Sequence, residues 1–483
     1  MPGYFVAKES MFRPLRDLSG WLLLAALAAS PLLYGTTAWW SEHRLAAMLG
    51  VAFIVWLLSR VTEPGFTPRI SLLDFGLLYL LAVGWWMTLN ARGLYDFEFR
   101  DFFHLSELVP WAPGSIDRLG SYSDMVRVTG LFAAFVVARS LGEDRVWRQR
   151  LLATVALTGL LIAIIGIILK LGGPSLMANF WIKQKISGTD FAFFEYHANA
   201  GAYLNLTWPI ALGLGLSGQA LGRCSPVLNK WLWLGAAAII LVAIQLNLSK
   251  GAIAVTLMLG ILFALAWIRV VAAPSKRRQL GGLASFSLIV LILAGFLAQF
   301  SHYSTAWQRW EELSESKNRE GSINYRLEIH QISFHMAQDA GWWGFGPGTF
   351  EAAFAPYQDA ARKPPGRFDE AHEDYLQTII EWGIGGALVW AGLVFGGLVK
   401  IWQRVRAAAR QPPLTRPFWI WYAILLALLG VLLHAAFDFP LEIDSIRLYV
   451  LVFLALGWSR EAEAPVRTQM KAGPVLFAQE ASP

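Results

Sequence analysis

The chain has 483 residues, of which 56% are apolar and only 15% charged, with 23 Trp and a formal net charge of +6. Average soluble domains carry roughly 25% charged residues, and the mean hydropathy here is +0.46. Those values exclude a disordered protein and a soluble enzyme, and they leave an all-α polytopic membrane protein. The excess of Lys and Arg then belongs to cytoplasmic loops, where nucleic acid is not the expected partner. A single cysteine, Cys224, allows neither an intramolecular disulfide nor a Cys-based metal cluster.

Windows of about 20 apolar residues predict spans near 19–38, 45–59, 71–89, 122–140, 151–170, 196–217, 231–248, 251–272, 282–300, 379–401, 417–437 and 443–459. That is about twelve transmembrane helices, the first of them uncleaved. Basic clusters at Arg139–Arg150, Arg269–Arg278 and Lys400–Arg416 fall on the same side as the basic N-terminus. The positive-inside rule makes that side, and both termini, cytoplasmic. Two segments then lie outside the membrane, about 91–121 and 301–378. In the longer one Tyr325, Ile329, Ile332 and Met336 recur at helical spacing, with Arg326, His330 and Ser333 on a neighbouring stripe. That helix is expected to stop near Gly341. No internal repeat or low-complexity tract is visible.

Within the longer segment, Gly341-Trp-Trp-Gly-Phe-Gly-Pro-Gly-Thr-Phe350 lacks the βαβ context or the Lys-Ser/Thr that a nucleotide loop needs. It reads as a tight turn placing Trp342, Trp343 and Phe345 at the membrane interface. His372 follows, at the expected start of a helix that enters the membrane, sharing a face with Tyr375, Leu376 and Ile379. Asp374, Gln377 and Glu381 share another face, so a continuous helix keeps Glu381 away from His372. An outward-facing histidine at a helix mouth suits a base for a substrate hydroxyl; an ordinary interfacial histidine is the alternative. Further polar residues gather at the same outer ends: Asn247, Ser249 and Lys250; His197, Asn199 and Asn205; His434, Asp438 and Glu442; and Arg127 within the fourth span. Lys250 suits a phosphate or simply the headgroups. HExxH and G-x-S-x-G are absent, which argues against catalytic zinc and a hydrolase triad.

In order along the chain, Tyr196-His-Ala-Asn-Ala-Gly-Ala-Tyr-Leu204, Leu248-Ser-Lys-Gly-Ala252, Arg326, Gly344-Phe-Gly-Pro-Gly-Thr-Phe350, His372-Glu-Asp-Tyr-Leu-Gln377, Glu381-Trp-Gly383 and His434-Ala-Ala-Phe-Asp-Phe-Pro440 resemble motifs of the O-antigen ligase and O-antigen polymerase superfamily of bacterial inner-membrane glycan transferases. The resemblance covers roughly 196–458. It departs at Lys250, where the family usually has Arg, and at Glu373, where it usually has Asn. Lys still meets a phosphate, as a point charge without a bidentate fork, and Glu373 adds a negative charge beside the histidine.

The resemblance implies a GT-C-like fold in the bacterial inner membrane. Helices 1–195 precede a ligase/polymerase-like region 196–459 that includes a periplasmic catalytic loop 301–378, and a cytoplasmic tail 460–483 follows. It implies a glycosyltransferase of lipopolysaccharide or exopolysaccharide biosynthesis that needs no cofactor and no metal. The donor is a glycan on a polyprenyl diphosphate such as undecaprenyl diphosphate. The acceptor is a hydroxyl of a glycan, of lipid A-core or of a protein, and membrane lipids surround the enzyme. His372 would be catalytic, and Arg326, Lys250 and Arg127 would bind the diphosphate. Asn199, Tyr375, Glu381, His434 and Asp438 would support them. The rival reading is a lipid-linked-sugar flippase or polysaccharide exporter, although the polar residues collect at one face and not near the midplane where transporters bind.

Overall fold

The computed structural model describes residues 2–63, 70–180, 190–218, 225–271, 323–360, 370–410 and 416–460. The expected span 282–300, residues 301–322 and 361–369 of the long loop, Cys224 and the tail after Arg460 lie outside the described residues. Among the described residues are thirteen α-helices: α1 (Pro2–Leu32), α2 (Trp39–Thr62), α3 (Leu72–Leu89), α4 (Arg118–Gly142), α5 (Arg145–Phe180), α6 (His197–Ser217), α7 (Pro226–Asn247), α8 (Lys250–Val271), α9 (Ile323–Asp339), α10 (Phe350–Ala360), α11 (Asp374–Ala409), α12 (Arg416–His434) and α13 (Asp444–Trp458).

Eight of the described helices (α2–α5, α7, α8, α11 and α12) are long and apolar enough to cross a membrane. The chain is a helical, polytopic membrane protein. Three other expected spans, 19–38, 196–217 and 443–459, fall on α1, α6 and α13. α1 meets α5 at one end, where Trp147 Nε1 donates to Asp17 (3.1 Å), and at the other the Gly35 carbonyl just beyond it accepts from Ser445 Oγ (2.6 Å). α13 is shorter: its 15 residues are about 22 Å long at 1.5 Å per residue. α6 is buried along nearly its whole length despite Asn199 and Asn205. Both polar atoms of Asn205 are paired: it donates to the Ala252 carbonyl (2.9 Å) and accepts from Trp208 Nε1 (3.0 Å) and Thr256 Oγ1 (2.7 Å). Its role is to bind α6 to α8. One continuous apolar core runs from Leu23 in α1 to Leu456 in α13.

The two ends of the bundle differ in chemistry. One gathers basic residues and their partners: Arg16 beside Asp144 (3.7 Å), Arg139 on Asp74 (2.6 Å), Arg60 on Glu63 and Ser140, and Arg404 on the Ser459 carbonyl. The opposite end carries the long connections. There the expected loop 91–121 is more ordered than hydropathy shows. It holds an antiparallel hairpin, β1 (Gly93–Asp96) with β2 (Asp101–His104), in which Leu94 pairs Phe103. Asn90 fastens the next stretch by donating to the carbonyls of Val109, Ala112 and Pro113 and accepting from Val109 N. Asp117 caps α4 through Leu119 N and Gly120 N and also accepts from Tyr95 N, which ties cap to hairpin.

The glycine-rich stretch has a structural purpose that its sequence conceals. α11 is broken at Gly383, whose φ of 65° and ψ of −179° are not helical. The break frees two carbonyls and two amides inside a membrane helix, where an unpaired peptide group costs several kcal/mol. Residues 341–346 supply the partners. Phe345 N and Gly346 N donate to the carbonyls of Ile380 (2.9 Å) and Glu381 (3.0 Å), while Ile384 N and Gly385 N donate to those of Gly341 (3.0 Å) and Trp342 (3.1 Å). Trp342 and Trp343 are exposed, as expected of interface residues, but Phe345 packs inward among Ile329, Met336, Phe350 and Ile380. At Gly344, with φ of +78°, a Cβ would lie 2.3 Å from the Glu381 carbonyl oxygen. Gly344→Ala is therefore expected to destabilise the protein by on the order of 1–3 kcal/mol. Gly235→Ala on α7, where a Cβ meets nothing within 4 Å, should not destabilise, since Ala favours the helix. Thermal unfolding of the two detergent-purified variants checks this, and equal melting temperatures would refute the splint.

Candidate functional site

The loop end concentrates the polar residues singled out in the sequence. His372 precedes α11 and is not its first residue; the cap is Glu373, whose carboxylate accepts from Tyr375 N (3.3 Å) and Leu376 N (2.6 Å). Glu373 thus serves the helix start and not the histidine, an N-cap role that Asn fills equally well. Burial pushes the Glu373 carboxyl above its ordinary range, and the two amides oppose the shift.

His372 itself adopts φ of 54°. Its ring lies edge-on to Phe439, with centroids 5.0 Å apart, and its Nδ1 faces Asp438 Oδ1 at 3.5 Å. Asp438 is buried, accepts from Tyr196 OH (3.4 Å) and from Phe439 N (3.1 Å), and follows the C-terminus of α12. Tyr196 stacks on Phe439 at 5.6 Å. Among the described residues His372 Nε2 has no hydrogen-bond partner. The arrangement is a carboxylate–imidazole pair: Asp438 favours the proton on Nδ1, which leaves Nε2 as the nitrogen able to accept one.

Beside this pair lies the turn between α7 and α8. Asn247 Nδ2 donates to the His197 carbonyl (2.7 Å), and Ser249 Oγ accepts from Ala252 N (3.3 Å). A Cβ at Gly251 would lie 2.6 Å from the Phe437 ring and 3.4 Å from buried His434 Nε2. Half-buried Lys250, the first residue of α8, therefore sits next to the turn that carries Asp438. Asn199 is buried in the first turn of α6, on the same side. Arg326 is placed in the first turn of α9; its side chain lies outside the described residues.

Glu381 and Tyr375 do other work. Glu381 Oε1 accepts from Phe350 N (3.2 Å) and from Gln377 Nε2 (3.5 Å), and it does not touch His372. Tyr375 OH donates to the Leu432 carbonyl (2.6 Å), which fastens α11 to α12. Gln377 Nε2 also donates to Glu370 (2.6 Å). Burial, with Glu442 and Glu381 close by, holds the Glu370 carboxyl well above the usual carboxylate range.

Arg127 lies amid carboxylates. Its guanidinium meets Glu42 (3.0 Å), Asp124 (2.7 Å) and Asp444 (3.7 Å), so a diphosphate reaching it would have to displace them. The sequence reading missed its companion. Arg447, in α13, pairs with Glu442, sits 3.4 Å from Asp124 and 3.8 Å from Asp444, and donates to the Leu441 carbonyl. Leu441 N in turn donates to Asp374 (2.9 Å). A lone arginine in an apolar span, three residues after Asp444 and five after Glu442, is the sequence signal that could have found it.

The class of protein that the fold defines is a polytopic helical membrane protein, with a histidine facing a buried carboxylate at one end of the bundle. Residues 235–391, less than half of the chain, match the family model described as O-Antigen ligase, a stretch that contains Lys250, Arg326, His372 and Glu381. Over that segment the chain is similar to the O-antigen ligase family. Asn199, Arg127, His434 and Asp438 fall outside the matched stretch. No curated protein matches the chain.

Proposed function

We propose that the protein transfers a glycan from a polyprenyl-diphosphate carrier to an acceptor hydroxyl, at the loop end of the bundle and on the periplasmic side of the inner membrane. The observation that carries this reading is the His372–Asp438 pair, formed by residues from separate motifs and flanked by α8 with Lys250. The accumulation of Arg at the opposite end supports a cytoplasmic orientation for that end and for both termini.

The acceptor oxygen attacks the anomeric carbon as the bond from that carbon to the phosphate oxygen breaks. The departing electrons stay on the lipid diphosphate, and the hydroxyl proton passes to His372 Nε2. Asp438 stabilises the imidazolium that forms. Lys250 and Arg326 offset charge developing on the leaving diphosphate, which is where fixed cations accelerate such a step. The carrier is already an activated leaving group, so no nucleotide is consumed.

Purified protein should convert a polyprenyl-diphosphate glycan in detergent, where there are no compartments; vectorial movement without conversion would identify a transporter and end this reading. Within it, Arg326→Ala should weaken donor turnover much more than Arg326→Lys, by about 10-fold or more for a lost charge-assisted contact of ~1.5–3 kcal/mol. Equal losses would make Arg326 structural. In cells lacking the protein, full-length polymer left on the carrier marks a ligase, and single repeats mark a polymerase.

A further inference from the structure

A non-glycine residue with positive φ is uncommon and costs on the order of 1 kcal/mol, so the φ of 54° at His372 must be held by contacts. On the ring side these are Asp438 and Phe439. On the backbone side, His330 Nε2 lies 3.1 Å from the His372 carbonyl oxygen. A carbonyl only accepts, so His330 Nε2 carries the hydrogen and donates it. His330 lies in α9, one turn after Arg326, and α9 is independently seated by Ile329 and Met336 against Ile380 of α11.

We propose that His330 is a positioning residue for glycan transfer: its Nε2–H grips the His372 carbonyl and so fixes the backbone conformation that presents the imidazole to Asp438. This rests on His372 being the base. Because His330 touches the backbone of His372, its loss misaims the ring without removing a chemical group. Misplacement on the scale of 1 Å costs about 100-fold in rate. The apolar seat of α9 remains, so donor binding should change little.

The test is steady-state kinetics of the full-length protein in detergent with a polyprenyl-diphosphate glycan. His330→Leu should lower kcat by about 10- to 100-fold with donor KM within about three-fold. His330→Gln, which keeps an N–H at comparable reach, should recover most of the loss. The His330→Leu/Asp438→Asn double variant should lose less than the product of the single losses, since both act on one ring. Where His330→Leu does not purify as a folded protein, His330→Asn, whose amide is too short to reach, takes its place against Gln. An unchanged kcat in the Leu or Asn variant, or equal losses in those and Gln, overturns the proposal. His372→Ala run alongside separates the two ideas. If it stays active, the reading of His372 as base fails; if it is inactive while His330→Leu is unimpaired, only the role of His330 fails.

Discussion

Replacing His372 by alanine is expected to reduce glycan transfer by about 10²–10⁴-fold, the range a positioned general base contributes, while the protein remains folded in the membrane. The expectation follows from a buried Asp438 facing Nδ1 at 3.5 Å and the absence of a partner on Nε2 among the described residues. Alanine at φ of 54° keeps the strain of the native backbone, so His372→Asn is the companion variant: Asn tolerates this region well but has no base of comparable strength. Both should lose activity alike. Asp438→Asn should lose less, because the imidazole survives without its orienting charge. The measurement is turnover of a lipid-linked glycan by purified protein, with melting temperature as the folding control. Transfer retained in the folded His372→Asn variant would remove the imidazole from the reaction.

The second large effect concerns stability. Arg447→Leu should destabilise the protein by about 3–5 kcal/mol, since breaking a buried ion pair strands the charges left behind. Arg447 is partnered by Glu442, with Asp124 and Asp444 close by, and the last two also face Arg127. Two guanidinium groups thus balance a larger set of acids at the loop end. Adding Glu442→Gln to Arg447→Leu should restore part of the loss by removing one stranded charge. Thermal unfolding in detergent reads both variants, and a single variant as stable as the parent protein would show that this network contributes little.

What the sequence reveals depends on how far apart the cause and its signal lie. Membrane helices were legible because each apolar run is local; observed bounds such as Leu72–Leu89 and Lys250–Val271 fall close to the windows. The amphipathic face of α9 was legible for the same reason, and its Ile329 and Met336 are buried. The hairpin at Gly93–His104 was not, since four-residue strands fall below any periodicity window. Gly383 was read as part of a continuous span because a glycine in an apolar run carries no hydropathy signal, and the splinting stretch 341–346 looked only like a turn. At the site, His372, Lys250 and Asp438 could each be singled out from their motifs. That Asp438 and not Glu381 faces the histidine depends on α12 packing against α11, which no local pattern encodes. Arg447 escaped because its partners lie in α4 and in the turn before α13.

The break at Gly383 constrains how the bundle can open. Separating residues 341–346 from 380–385 would break four peptide hydrogen bonds at once, and each group left unpaired within the membrane helix costs several kcal/mol. The loop segment and the first turns of α11 must therefore travel as one welded piece, and any gate for the proposed lipid-linked donor has to hinge at some other seam.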